Sequence, residues 1–286
     1  MKKIIFILLF MAFCSVCTEA SPTDFCTQGC VAPYNLTSKT SRFFSTVTGQ
    51  NFLAEKIGAK LIKKAVKKNI ISGDIKTNLK TYSVRDLKAG KFKSIEISGK
   101  NVNVQGVYIT SFVAKTLCDF NYIIYDKNGN IQIKENVPIS LNAEISEEDL
   151  NKTMNSSDYK RVINDINETF GGFFEIETTN IKLKNGKMYY VLKYTLPFVR
   201  KSKNIVFVSD LSVKNGKIAL ENTNFTTSSS NFDINKISQL LNYINPLDFS
   251  AKILENKDAK FNIQNVTIES GKILISAQMT ILKDKE

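Results

Sequence analysis

Four stretches of the chain share one arrangement: apolar residues at alternate positions, two turn residues, then alternation again. They are IKLKNGKMYYVLKY around Asn185-Gly186, LSVKNGKIALE around Asn215-Gly216, YDKNGNIQI around Asn128-Gly129, and VTIESGKILIS around Ser270-Gly271. Strict alternation turns one side of a strand inward. Asn-Gly supplies two residues that tolerate positive φ, as a type I′ hairpin turn requires. The spacing between units is irregular, so the pattern predicts hairpins of one large antiparallel sheet rather than a solenoid. The stretch GKFKSIEISGKNVNVQGVYITSFVAKTLCDFNYIIY is also strand-rich: Ile95, Ile97, Val102, Val104 and Tyr108 alternate with polar neighbours. Gly99 and Gly106 interrupt it and predict bulges or bends of a curved sheet.

Other stretches follow the helical period. In NFLAEKIGAKLIKKAVKKNI, Leu53, Ala54, Ile57, Leu61, Ile62 and Ala65 share one broad apolar face, with Lys56, Lys60, Lys63 and Lys67 roughly opposite. Ser146, with Asp149 three residues on, predicts a capped helix start. A second start at Ser157-Asp158 leads to Tyr159, Val162, Ile163, Ile166 and Phe170 on one face, closed by Gly171-Gly172. A last helix runs from Asp233 to Ile244 and stops at Asn245-Pro246. The order of helix, strands, helices, strands, helix and hairpin predicts an α+β fold, with amphipathic helices covering a large, strongly curved antiparallel sheet.

The N-terminus reads as an export signal. Lys2 and Lys3 precede an apolar run from Ile4 to Cys14, followed by Thr18-Glu19-Ala20 as a small-x-small cleavage site. Domain organisation is therefore expected as a signal peptide over 1–20, a polar linker over 21–50 and a single domain over 51–286. Localisation is expected to be periplasmic or otherwise extracytoplasmic, peripheral to a membrane. In that setting Cys26 and Cys30, in CTQGC, are a candidate disulfide. Cys118 is expected to be a buried, apolar-like thiol.

The net charge is +12, and there is no histidine. The second fact excludes His-based triads, His-ligated zinc and His acid–base chemistry. No G-x-S-x-G elbow or phosphate-cradling glycine loop is present, so no catalytic residues, metal site or cofactor are expected. Much of the positive charge is general lysine usage. Still, twelve Lys/Arg fall between Asn51 and Lys93 against Glu55, Asp74 and Asp86. Outside the cytoplasm the matching acidic partner is an anionic membrane surface rather than nucleic acid. Lys56, Lys60, Lys63 and Lys67 are the candidate membrane-surface residues.

The segment AGKFKSIEISGKNVNVQGVYIT (Ala89 to Thr110), then Ile145-Ser146-Glu147-Glu148-Asp149-Leu150-Asn151, then the hairpin IKLKNGKMYYVLKY, together resemble the bacterial LmeA-like phospholipid-binding family. The resemblance spans roughly residues 55 to 282. It implies a tubular lipid-binding type of fold, in which a curved sheet wraps a helix around an apolar channel. It also implies a non-enzymatic role in holding or moving phospholipid or another acyl lipid in the envelope. Leu53, Ile57, Leu61, Ile62, Val102, Val104, Tyr108, Phe173 and Tyr190 are the candidate channel lining. A monomer is expected. The competing expectation is a non-catalytic, adhesin-like interaction module whose core is fully packed.

Overall fold

The computed structural model describes residues 34–68, 70–125, 131–170, 175–196, 199–227, 244–247, 249–250 and 259–284. Two helices, α1 (Lys39–Val47) and α2 (Gln50–Lys67), lead into β1 (Ser72–Lys80), a short α3 (Val84–Lys88), β2 (Lys91–Phe92), β3 (Ser94–Val104), β4 (Val107–Thr116), β5 (Asn121–Tyr125), β6 (Ile131–Ile133) and β7 (Val137–Ser146). Then come α4 (Glu147–Met154), α5 (Ser157–Phe170), β8 (Glu175–Lys184), β9 (Lys187–Leu196), β10 (Val199–Lys214), β11 (Lys217–Thr227), β12 (Ala259–Glu269) and β13 (Lys272–Ile281). The fold is α+β and its strands pair antiparallel.

Among the described residues the strands form three open sheets rather than the single sheet expected. Their orders are β1-β3-β4-β7-β13-β12, β11-β10-β9-β8, and the small β2-β5-β6. Each hairpin follows from its turn chemistry. Asn185-Gly186, Asn215-Gly216 and Ser270-Gly271 all have positive φ at both positions, as type I′ geometry demands. The hairpin expected at Asn128-Gly129 lies outside the described residues, although β5 and β6 on either side of it pair antiparallel. Gly106 is not a bend within a strand: with Gln105 it makes a further positive-φ turn between β3 and β4. Gly99 does lie within β3, where a Cβ would sit 2.3 Å from the Phe112 ring, and the bulge follows directly after it: the two steps from Ser72 to Asp74 on β1 face the three from Lys100 to Asn103 on β3, with Asn101 at positive φ. Further register shifts fall at Ile176/Thr178, Val199/Lys203, Val208/Asp210 and Ile263/Asn265. Each bulge bends its strand and increases the local twist.

Alternation places one face of each large sheet inside. Ile75, Ile97, Phe112, Leu141 and Ile273 are buried in the six-stranded sheet, and Ile181, Tyr190, Leu192 and Phe207 in the four-stranded one. The buried apolar residues form one connected core, each fully buried aliphatic contributing about 1.5–3 kcal/mol. Helix α4 starts as expected: the Ser146 hydroxyl accepts from the Asp149 N–H and donates to the Asp149 carboxylate at 2.8 Å. It lies along the free edge of β8. There the Asn151 side chain accepts from the Ile181 N–H at 2.8 Å and donates to the Ile181 carbonyl at 2.9 Å. Asn167 of α5 does the same to both backbone groups of Ile176. Two asparagines thus satisfy backbone groups that an edge strand otherwise leaves open.

Part of the stretch expected to be a polar linker is ordered onto the domain. Residues 39–47 are helical, and Thr37 donates to Asp86 through its N–H at 2.9 Å and its hydroxyl at 2.8 Å. The expected helix over 233–244 lies outside the described residues except for Ile244, which is helical and buried. Beyond it, the Asn245 side chain accepts from the Leu247 N–H, so Asn245 caps a new helical turn begun by Pro246, where a missing N–H costs nothing.

Candidate functional site

Helix α2 rests on β1 through its small residues. Gly58 lies so close that a Cβ would meet Leu79 at 2.5 Å, and the Thr77 hydroxyl donates to the Ala59 carbonyl at 2.7 Å. Ala59 and Ile62 pack on the core, and Val66 is fully buried. Glu55 also turns inward, accepting from the Thr81 N–H at 2.9 Å and lying 3.6 Å from Lys80.

That docking sends the bulkier apolar residues outward. Leu53, Ile57 and Leu61 are 61%, 62% and 64% exposed. The helical face expected to look into a channel therefore splits. Ile62 is half-buried on the protein side, while the other three stand in solvent. Lys56, Lys60, Lys64, Lys67 and Lys68 are exposed on the same outward arc, and Lys63 is half-buried. Several lysines of the sheets are ion-paired, as Lys187 is to Asp210 and Lys272 to Glu144. Among the described residues no lysine of α2 has an ion pair. The helix thus carries uncompensated positive charge beside exposed aliphatic side chains.

Helix α1 extends this surface. Gly49, with φ of 69°, makes the left-handed break between the two helices. Ser45 faces inward and accepts from the Val84 N–H at 3.3 Å, and Asn51 donates to the Tyr82 carbonyl at 3.2 Å. Phe43 and Val47 lie opposite Ser45 on the helical wheel and Phe44 lies to its side, and all three are 64–66% exposed. Sequence reasoning passed over all three because they sit in a Ser/Thr-rich stretch.

The remaining candidates lie inside. Val102, Val104 and Tyr190 are buried and Tyr108 is half-buried; Phe173 lies outside the described residues. Tyr190 belongs to a buried polar seam that sequence reasoning missed. The Tyr159 hydroxyl donates to the Ile244 carbonyl at 2.5 Å and lies 2.9 Å from the Tyr190 hydroxyl. A carbonyl only accepts, so Tyr159's single proton is committed there and Tyr190 is the donor of the pair. Burial pushes Tyr159 up to about 12 and Tyr190 well above its ordinary value. Both phenols stay neutral at physiological pH and act as structural hydrogen-bond partners within the core.

The extended segment that begins at Tyr34 is pinned beside the small sheet. The Tyr34 hydroxyl donates to the Asn121 carbonyl at 2.9 Å, and the Lys91 ammonium lies over the Tyr34 and Tyr122 rings. Nearby Cys118 is disulfide-bonded, which corrects the expectation of a free buried thiol. The other four cysteines, Cys26 and Cys30 among them, lie in residues 1–33, outside the described residues. Among the described residues no group of three or more His, Cys, Asp or Glu could hold a metal ion, and no helix is long and apolar enough to cross a membrane.

Fold and surface together describe an α+β protein with one-sided antiparallel sheets and a helical layer that shows solvent both greasy and cationic side chains. The model of the LmeA-like phospholipid-binding family matches residues 49–278, and the chain belongs to that family. It is a family of binding proteins, with phospholipid as the class of partner. No curated protein and no solved structure gives a match.

Proposed function

We propose that this protein is exported to the cell envelope, where it holds a phospholipid or another acyl lipid in an apolar channel bounded by the inward sheet faces, and transfers lipid or maintains the envelope. The observation that carries this reading is the family match across residues 49–278. The inward faces supply suitable chemistry, since Val102, Val104, Leu192 and Phe207 are aliphatic or aromatic. An acyl chain there would fill space that is otherwise a costly void. The lysines of α2, together with Lys76, Lys80, Lys88, Lys91 and Lys93, would draw a monomeric protein to anionic headgroups, each nearby cation worth about 1 kcal/mol. No step in this account requires a catalytic group.

A fluorescent acyl probe tests the channel. The reading expects saturable uptake that unlabelled phospholipid competes away. The rival reading, an interaction module with a packed core, draws support from the single connected core and expects no uptake. A second test addresses charge: Lys56, Lys60, Lys63 and Lys67 all changed to Glu should weaken binding to anionic vesicles while the fold is kept, and unchanged binding would remove the steering step.

A further inference from the structure

We propose that α1 and the outward arc of α2 form an interfacial wedge that inserts into the headgroup region of an anionic bilayer, with Phe43, Phe44, Leu53, Ile57 and Leu61 reaching the acyl boundary. Three observations converge on this surface. The five side chains are each 61–64% exposed, far from the usual fate of large apolar groups in a protein with an extensive core. At 100° per residue, Leu53, Ile57 and Leu61 form one ridge, and Lys60, Lys64 and Lys68 lie between and beside them. From Leu36 to Ile71 the sole acidic residue is Glu55, and its carboxylate is turned inward to the Thr81 N–H at 2.9 Å.

Charge selects the occupant. A second copy of the chain pairing through this face by a two-fold axis would set lysine against lysine. A bilayer with anionic headgroups meets both features at once: lysine stems run along apolar surface with the ammonium at the phosphates, while the ridge enters below. The helices are also held firmly enough to present it. Gly58 packs tightly on Leu79, and the Ser45 and Asn51 side chains bond to each other and to the Val84 and Tyr82 backbone. The family match begins at residue 49, so the Phe43-Phe44 end of the wedge belongs to this chain's own preceding segment. The choice of lipid as the partner rests on the function proposed above.

The chain has no tryptophan, so Ile57→Trp in the full chain places a sole indole on the ridge. Phosphatidylcholine vesicles containing phosphatidylglycerol should shift its emission to the blue and shield it from acrylamide. Lys184→Trp, on an exposed strand end, should show neither change. Separately, Leu53→Ser/Ile57→Ser/Leu61→Ser should lower co-sedimentation with those vesicles about tenfold or more, with unaltered circular dichroism. An indole that stays solvated, or a serine variant that binds like the wild type, overturns the wedge. So does a dimeric wild type that this variant renders monomeric without any vesicle binding. Acyl-probe uptake separates the two readings. Uptake without vesicle insertion leaves lipid holding and removes the wedge; insertion without uptake supports the wedge and removes lipid holding.

Discussion

Replacing Asp86 should loosen the attachment of α1, and should do so with a defined pH dependence. Asp86 is 2% exposed. Its carboxylate accepts from the Thr37 N–H at 2.9 Å, the Thr37 hydroxyl at 2.8 Å and the Ser83 hydroxyl at 2.6 Å. Hydrogen bonds to a charged acceptor contribute about 1.5–3 kcal/mol each, with strong non-additivity within a cluster. Asp86→Ala orphans three donors and should cost roughly 3 kcal/mol or more. Asp86→Asn keeps one acceptor oxygen and should cost about 1.5–3 kcal/mol. Burial alone would raise this carboxyl's pKa, but the bonds from Ser83 and Thr37, with Arg42 nearby, outweigh burial and hold it below the ordinary value. The unfolded chain therefore takes up this proton at higher pH than the folded chain does. The stabilisation is complete above the unfolded value of about 3.9 and is lost as pH falls through the folded value. Urea unfolding of wild type and Asp86→Asn across acid pH checks this. The gap between them should shrink as pH falls from about 5 toward about 3. A gap that stays constant over that range, or no gap at all, would refute the assignment of Asp86 as the charged anchor.

Gly90 has φ of 80°, and a Cβ there would sit 1.8 Å from the Ile123 carbonyl oxygen; Gly90→Ala should cost more than about 2 kcal/mol from left-handed strain plus backbone displacement, read by thermal denaturation. Tyr159→Phe strands both the Ile244 carbonyl and the Tyr190 hydroxyl, so it should destabilise by about 1–3 kcal/mol and exceed Tyr190→Phe, which leaves the bond to Ile244 intact; equal losses would contradict the donor order. Asn151→Ala should cost about 1–3 kcal/mol and raise amide exchange at Ile181 ahead of the β9 amides, with unchanged exchange counting against the edge clamp.

Features decided locally were legible in the chain. Asn185-Gly186, Asn215-Gly216 and Ser270-Gly271 act through their own dihedrals, and Ser146 with Asp149 caps through neighbouring atoms. Gln105-Gly106 was missed as a turn because glutamine carries no turn signature, leaving Gly106 to look like a strand glycine. Pairing was not legible: β7 bonds to β13 across more than a hundred residues, and nothing in either strand names the other. The orientation of α2 was misjudged for a physical reason. Apolar residues surround much of the helix, and size alone points to the larger ones as the core face, yet close approach to β1 favours the side with Gly58 and Ala59. Cys118 looked like a buried thiol because its bonding depends on which cysteine the fold brings to it. The family, by contrast, was readable from strand and helix-start patterns, and the match over 49–278 agrees with that reading.

The most direct measurement is lipid extraction and mass spectrometry of protein purified without detergent from its native envelope. The account predicts phospholipid in near-stoichiometric amount, retained when Leu53, Ile57 and Leu61 are changed to serine and the wedge no longer binds vesicles. Protein that carries no lipid above a mock purification would contradict it.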